Sequence, residues 1–105
     1  MTRSASDEQL LAAASARLDA MLAQGTTTAE SKTGYGLTVD QELRMLRLNR
    51  RLAEDHAVDI VSTLMAAHAF PPGAEASEAE RERWVETIVA EIVPAARDQG
   101  AEFND

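Results

Sequence analysis

Val58-Asp59-Ile60-Val61-Ser62-Thr63-Leu64-Met65-Ala66-Ala67 decides the fold. After Asp59 it is almost continuously apolar, with Val58, Ile60, Val61, Leu64 and Met65 carrying the hydrophobic weight. A strand that loses polar–apolar alternation in this way is expected in a parallel sheet covered on both faces. Pro71-Pro72-Gly73 ends the run.

The flanks read as helices. Downstream, Ser77-Glu78-Ala79-Glu80 has the form of a capping box. Trp84, Val85, Ile88, Val89, Ile92 and Val93 then form an apolar stripe, and Pro94 is expected to kink or end that helix. Gly100 closes the segment, and Ala101-Glu102-Phe103 begins a third strand. Upstream, Thr38-Val39-Asp40-Gln41 is a second capping box. It opens a helix to about Asp55, with Val39, Leu43, Leu46 and Ala53 on one face and Leu48 and Leu52 widening it. Arg44, Arg47, Arg50 and Arg51 occupy much of the remainder. They make either an anion site or a solvated face with pairs such as Asp40–Arg44, and the solvated face is the expectation.

Thr26 to Lys32 is the first strand, closed by Gly34 and Gly36 around Tyr35. Ser6-Asp7-Glu8-Gln9 is a further capping box, followed by Leu10, Leu11, Ala14, Leu18, Met21 and Leu22 at helical spacing and by Gly25 as a left-handed stop. The order is α-β-α-β-α-(β), which indicates parallel β/α units. Their repeat of about 35 residues matches a TIM-type (β/α)8 barrel, whose eight strands need about 250 residues. The fold class is therefore α/β, as an incomplete segment of such a barrel. The chain starts in a helix and stops just inside a strand, so part of a larger protein is expected.

At 105 residues there is room for one small domain at most. The formal charge of −8 argues against nucleic acid or an anionic membrane as partner. No cysteine is present, which excludes disulfides and thiol chemistry. No apolar run approaches the roughly 18 residues of a membrane span, and Met1 to Gln9 has no signal-peptide character. A cytoplasmic location is the default expectation.

His68 follows the apolar strand, on the rim where barrel enzymes place their working residues. It is a metal ligand, a general base, a substrate hydrogen-bond donor, or a structural histidine that ties down the Pro-Pro loop. Tyr35 is a turn residue or a substrate contact, and the glycines beside it would let a ligand approach. Two parallel neighbouring strands would bring Tyr35 and His68 to one rim. His56 falls on the opposite rim and is expected to be structural. Glu30 and Lys32 share a strand face; they form an interior pair that must neutralise itself or an exposed pair. No His-x-His, Gly-x-Ser-x-Gly or Gly-x-Gly-x-x-Gly occurs, so no catalytic set is complete.

The stretch from Leu18 to Leu37, with Gly25-Thr26-Thr27-Thr28 and then Glu30-Ser31-Lys32-Thr33-Gly34-Tyr35-Gly36-Leu37, resembles imidazolonepropionase, an amidohydrolase of histidine degradation. The family pattern there is Gly-x-Thr-Thr followed by Glu-x-Lys-Ser-Gly-Tyr-Gly-Leu. Glu42-Leu43, Met45-Leu46, Arg50-Arg51-Leu52, Ala67-His68-Ala69 with Pro71-Pro72, Ile92-Val93-Pro94-Ala95 and Ala101-Glu102-Phe103 continue the likeness. Ala29, Ser31, Thr33, Ala66, Gly73 and Asn104 depart from it, and none of these is Tyr35 or His68.

The resemblance implies that residues 1–105 are a partial amidohydrolase barrel domain, its middle β/α units without a complete domain. It implies an enzyme that uses one zinc or iron ion to activate water against 4-imidazolone-5-propanoate, giving N-formimidoyl-L-glutamate. Tyr35 and His68 then contact the substrate without binding the metal. The family's metal ligands, a His-x-His pair upstream and a His and an Asp downstream, have no counterpart in this chain. By itself the chain is expected to be inactive. The competing expectation is a stand-alone α/β protein that binds a partner or associates with itself, since uncovered parallel strand edges invite association.

Overall fold

The computed structural model describes residues 2–105. Ser6 caps helix α1 (Asp7–Ala23) with both arms of a capping box: the Gln9 N–H donates to its hydroxyl, and the Ser6 N–H donates to Gln9 Oε1 at 2.9 Å. Strand β1 (Thr28–Lys32) follows, then α2 (Val39–Asp55) and β2 (Asp59–Leu64). A short 3-10 turn (Ala74–Ala76) leads into α3 (Glu78–Thr87), which is continued by a π-helical turn (Ile88–Ile92) into α4 (Val93–Asp98). Strand β3 (Phe103–Asn104) closes the order. Thr38 and Ser77 cap α2 and α3 as predicted, but by one arm only. Each hydroxyl accepts the N–H three residues on. At Thr38 the expected return arm, Gln41, instead accepts from Arg44 and donates to Asp40.

The three strands form one parallel sheet in the order β1-β2-β3. Glu30 pairs with Val61, Lys32 with Thr63, and Thr63 with Phe103. Because side chains alternate along a strand, this register puts Ala29, Ile60 and Leu64 on one face. All of them enter the two helix-backed clusters. The first cluster is Leu46, Leu64, Ala66, Trp84, Ile88, Ile92 and Ala96. The second is Leu18, Leu52 and Val58, with Leu11, Ala14, Ala29 and Ile60 against it.

The helices therefore cover one face of the sheet. The other face carries Thr28, Glu30, Lys32, Asp59, Val61 and Thr63. This corrects the expectation of a strand covered twice: Asp59 is exposed and Val61 half-buried. Two stripes also need correction. In α2 the buried residues are Glu42, Leu46, Leu48, Asn49 and Leu52, whereas Ala53 is exposed. In the last helical segment Trp84, Ile88 and Ile92 are buried, but Val85, Val89 and Val93 face outward. Pro94 does not end the segment, which runs on as helix to Asp98. Proline has no N–H to give, and the helix passes it by widening first, with the Val93 N–H donating to Ile88 O five residues back.

Candidate functional site

The C-terminal ends of β1 and β2 make the site. Beyond β1 the ladder continues for one residue: the Thr33 N–H donates to Thr63 O at 3.1 Å. The Thr33 hydroxyl accepts the Met65 N–H at 3.0 Å. Thr33 is fully buried, so the two strand ends are locked together at this level.

Gly34 then turns the chain at φ +110°. A β-carbon there would stand 2.7 Å from Met65 O and 3.0 Å from His68 Cβ. At Gly36 a β-carbon would stand 2.6 Å from the Glu42 backbone nitrogen. The Tyr35 loop is thus pressed against the β2 exit on one side and the start of α2 on the other, and only glycine fits at either contact. The His68 N–H donates back to Met65 O at 3.0 Å, which folds the second loop toward the first.

These two turns bring Tyr35 and His68 into edge-to-face contact. Their ring centroids are 5.2 Å apart and their planes meet at 67°, a preferred aromatic geometry. Both rings are exposed, Tyr35 at 61%. The phenol hydroxyl offers a donor and an acceptor, and the imidazole offers two nitrogens. Such a pair can orient a polar, planar ligand.

Below the loop lies a residue that sequence reasoning did not single out. Glu42 is fully buried. Its carboxylate accepts the N–H groups of Gly34 (2.8 Å), Gly36 (2.7 Å) and Leu37 (3.1 Å). Leu37 itself sits at φ +60°. A loop of successive glycine N–H groups entering a helix was the available signal, because those donors need an acceptor once buried.

The open sheet face carries a polar network next to the pair. Lys32 Nζ donates to Asp105 at 2.6 Å and lies 3.9 Å from Glu30, while the Thr63 hydroxyl donates to Glu30 at 2.6 Å. The hydrogen bond to Asp105 holds the Lys32 ammonium above the ordinary lysine range. The same bond, with the charge of Lys32 and a smaller contribution from His68, holds the Asp105 carboxyl below the ordinary range. Of the two arrangements open to Glu30 and Lys32, the structure shows the pair on the face that the helices leave uncovered.

His56 sits at the far rim, before β2. Its Nδ1 accepts the Val58 N–H at 3.0 Å, so the proton is on Nε2, which faces Asp19 at 3.0 Å. This ties α1 to the entry of β2. Three of the four arginines of α2 are spent on carboxylates and carbonyls. Arg44 bonds Asp7 and Ala5 O, Arg47 pairs with Asp40, and Arg50 pairs with Glu54. The pair anticipated between Asp40 and Arg44 is replaced by these. Among the described residues, no group of three His, Asp or Glu side chains is arranged to hold a metal ion. No helix among them is long and apolar enough to cross a membrane.

Curated relatives give this geometry a context. The chain is 48% identical over 99 residues to imidazolonepropionase of Aeromonas salmonicida, which covers 94% of this chain and 23% of that protein. It is 46% identical over the same length to the imidazolonepropionases of Xanthomonas oryzae pv. oryzae and Xanthomonas euvesicatoria pv. vesicatoria, again covering 23% of each. The resemblance read from the residues therefore holds over nearly the whole chain, and the chain spans under a quarter of the length of these relatives. No family model matches it.

Proposed function

We propose that this chain is a segment of an imidazolonepropionase-type amidohydrolase, and that Tyr35 and His68 orient 4-imidazolone-5-propanoate for hydrolysis to N-formimidoyl-L-glutamate. The single observation that carries this reading is the contact between the two rings. In a chain 48% identical over 99 residues to an imidazolonepropionase, two loops from neighbouring parallel strands converge to put a phenol and an imidazole edge to face at 5.2 Å.

The proposed architecture is part of a (β/α)8 barrel, with residues 1–105 as its middle units. Three features support it: parallel strands in sequence order, helices confined to one face, and a polar ladder of Glu30, Thr63, Lys32 and Asp105 on the other. In a barrel that second face is the interior, and the Tyr35–His68 rim is the end that carries active sites.

On this reading Tyr35 and His68 supply orientation. A ligand held by both a hydroxyl and an imidazole loses the freedom to turn, and fixed geometry is worth much of a barrier. Hydrogen bonds from the same groups also answer charge as it develops on the ring being opened. The zinc or iron ion implied by the resemblance supplies an activated water when bound. The residues of this chain do not fit such an ion: Glu30 and Asp105 are engaged with Thr63 and Lys32, and His68 faces Tyr35. The ion is assigned to parts of the enzyme outside this segment, and the segment by itself is proposed to be inactive.

The test is a transplant of this chain in place of the matching segment of the Aeromonas salmonicida enzyme. The hybrid is expected to turn over 4-imidazolone-5-propanoate. Tyr35→Phe and His68→Ala are expected to lower kcat/KM with metal content near normal. Loss of metal with His68→Ala would make that residue a ligand and overturn the assignment.

A second reading is favoured by one observation. Val85, Val89 and Val93 line an exposed apolar stripe, as in a chain that binds a partner or itself. Sedimentation of the isolated chain separates the two readings: a folded, defined dimer supports the second.

A further inference from the structure

We infer that Glu42 is the positioning residue of the Tyr35–His68 pair, an assignment that rests on the reading of that pair as the substrate-orienting site. An acidic residue in the first turn of a helix ordinarily needs no special role, because it complements the helix dipole from the surface. Glu42 is different in three ways. It has no exposed surface. Both carboxylate oxygens are used, Oε2 by Gly34 and Oε1 by Gly36 and Leu37. Its donors are the backbone N–H groups on both sides of Tyr35.

The consequence is geometric. The Thr33–Gly34 and Tyr35–Gly36 peptide units, one on each side of the Gly34–Tyr35 unit, are fixed to one carboxylate on α2, so the short stretch that holds the Cα of Tyr35 cannot shift far without straining or breaking a charge-assisted bond. Leu37, at φ +60°, would relax if released. On the opposite side, Gly34 lies against Met65 and the base of His68. The loop is held from below by Glu42 and stopped laterally by the β2 exit, and in that position it presents the ring of Tyr35 to His68. Glu42 touches neither ring, so it acts through the loop.

Two experiments test this. In the 105-residue chain, the amides of Gly34, Gly36 and Leu37 are expected to exchange slowly with solvent, and NMR is expected to show a Tyr35–His68 ring-to-ring contact. Glu42→Gln, isosteric but with an NH2 facing one of the three donors, is expected to speed that exchange and abolish the ring contact. Signals of Leu18 and Val58, in the other cluster, stay in place. Fast exchange of the three amides in the unaltered chain, or a ring contact that survives Glu42→Gln, overturns the inference. The first of these needs no variant to fold.

In the Aeromonas hybrid, Glu42→Gln is expected to lower kcat/KM by about a hundredfold, the scale of a 1 Å misplacement, with metal content unchanged. In a Tyr35→Ala background the same change is expected to cost less than about threefold, because the residue it positions is gone. Equal losses in both backgrounds overturn the positioning role. If Tyr35→Ala leaves kcat/KM intact, the reading of the pair as a substrate site fails instead, and the NMR arm still decides what Glu42 holds.

Discussion

Lys32 and Asp105 meet at 2.6 Å on the uncovered face of the sheet, joining the end of β1 to the residue after β3 across the strand between them. The bond fixes two directions of titration. Asp105 is held below the ordinary carboxylate range by Lys32, so its contribution to stability is present above about pH 4 and is lost as pH falls through its lowered value. Lys32 is held above the ordinary lysine range by Asp105. Its contribution is present below about pH 10.4 and is lost as pH rises through its raised value. Asp105→Asn is expected to lower stability slightly between these limits, since the pair is exposed and screened, and to leave it unchanged beyond them, so that both flanks of the stability–pH curve flatten. Urea unfolding from pH 2.5 to 11 at low and high salt checks this (the pH limits are about 1.5 units beyond the ordinary values at the acid end and about half a unit at the other). High salt should imitate the substitution.

Ser31 and Asn49 form a closed couple between β1 and α2. The serine hydroxyl donates to Asn49 Oδ1 at 2.8 Å, and Asn49 Nδ2 donates to Ser31 O at 3.3 Å. Asn49→Leu alone leaves the hydroxyl unpaired and is expected to cost about 1–3 kcal/mol. Ser31→Val with Asn49→Leu replaces both partners and is expected to recover most of that loss. Thermal melts of the two singles and the double give the coupling.

Gly36→Ala sets a β-carbon 2.6 Å from a backbone nitrogen of α2, which no rotamer change relieves. A loss of about 1–3 kcal/mol is expected. Gly34→Ala adds a left-handed φ to a comparable clash with Met65 O and is expected to cost at least as much. Chemical unfolding followed by Trp84 fluorescence measures both.

Ile92 and Val89 are three positions apart with opposite surroundings, Ile92 fully buried and Val89 66% exposed. Ile92→Ala is expected to cost about 2–5 kcal/mol. Val89→Ala is expected to fall within about 0.5 kcal/mol. Denaturant midpoints decide, and similar values for the two would contradict the packing of this segment.

Much of this was legible in the chain because local chemistry specified it. Ser6 and Gln9 spell out their own cap, Gly25, Gly34 and Gly36 mark turns, and the apolar run after Asp59 is a strand. Parallel order then brings Tyr35 and His68 to one rim. What was not legible depends on partners distant in sequence. An acid at position 42 looks like a dipole complement until the loop folds beneath it. Lys32 had a visible neighbour in Glu30 and an invisible one in Asp105. The valines of α3 and its continuation fit an apolar stripe by composition, yet of that stripe only Trp84, Ile88 and Ile92 are buried. Apolar residues on β2 likewise predicted two covers, where the helices supply one.

The π turn at Ile88–Ile92 has a consequence for phase. The core residues of this segment recur every fourth position, at Trp84, Ile88, Ile92 and Ala96. On a regular α-helix each such step overshoots a full turn by about 40°, so three steps would swing the last residue about 120° away from the first. One wide turn winds the sequence back. Like a leap day in a calendar, it absorbs the accumulated remainder, and Ala96 stays in the same buried cluster as Trp84.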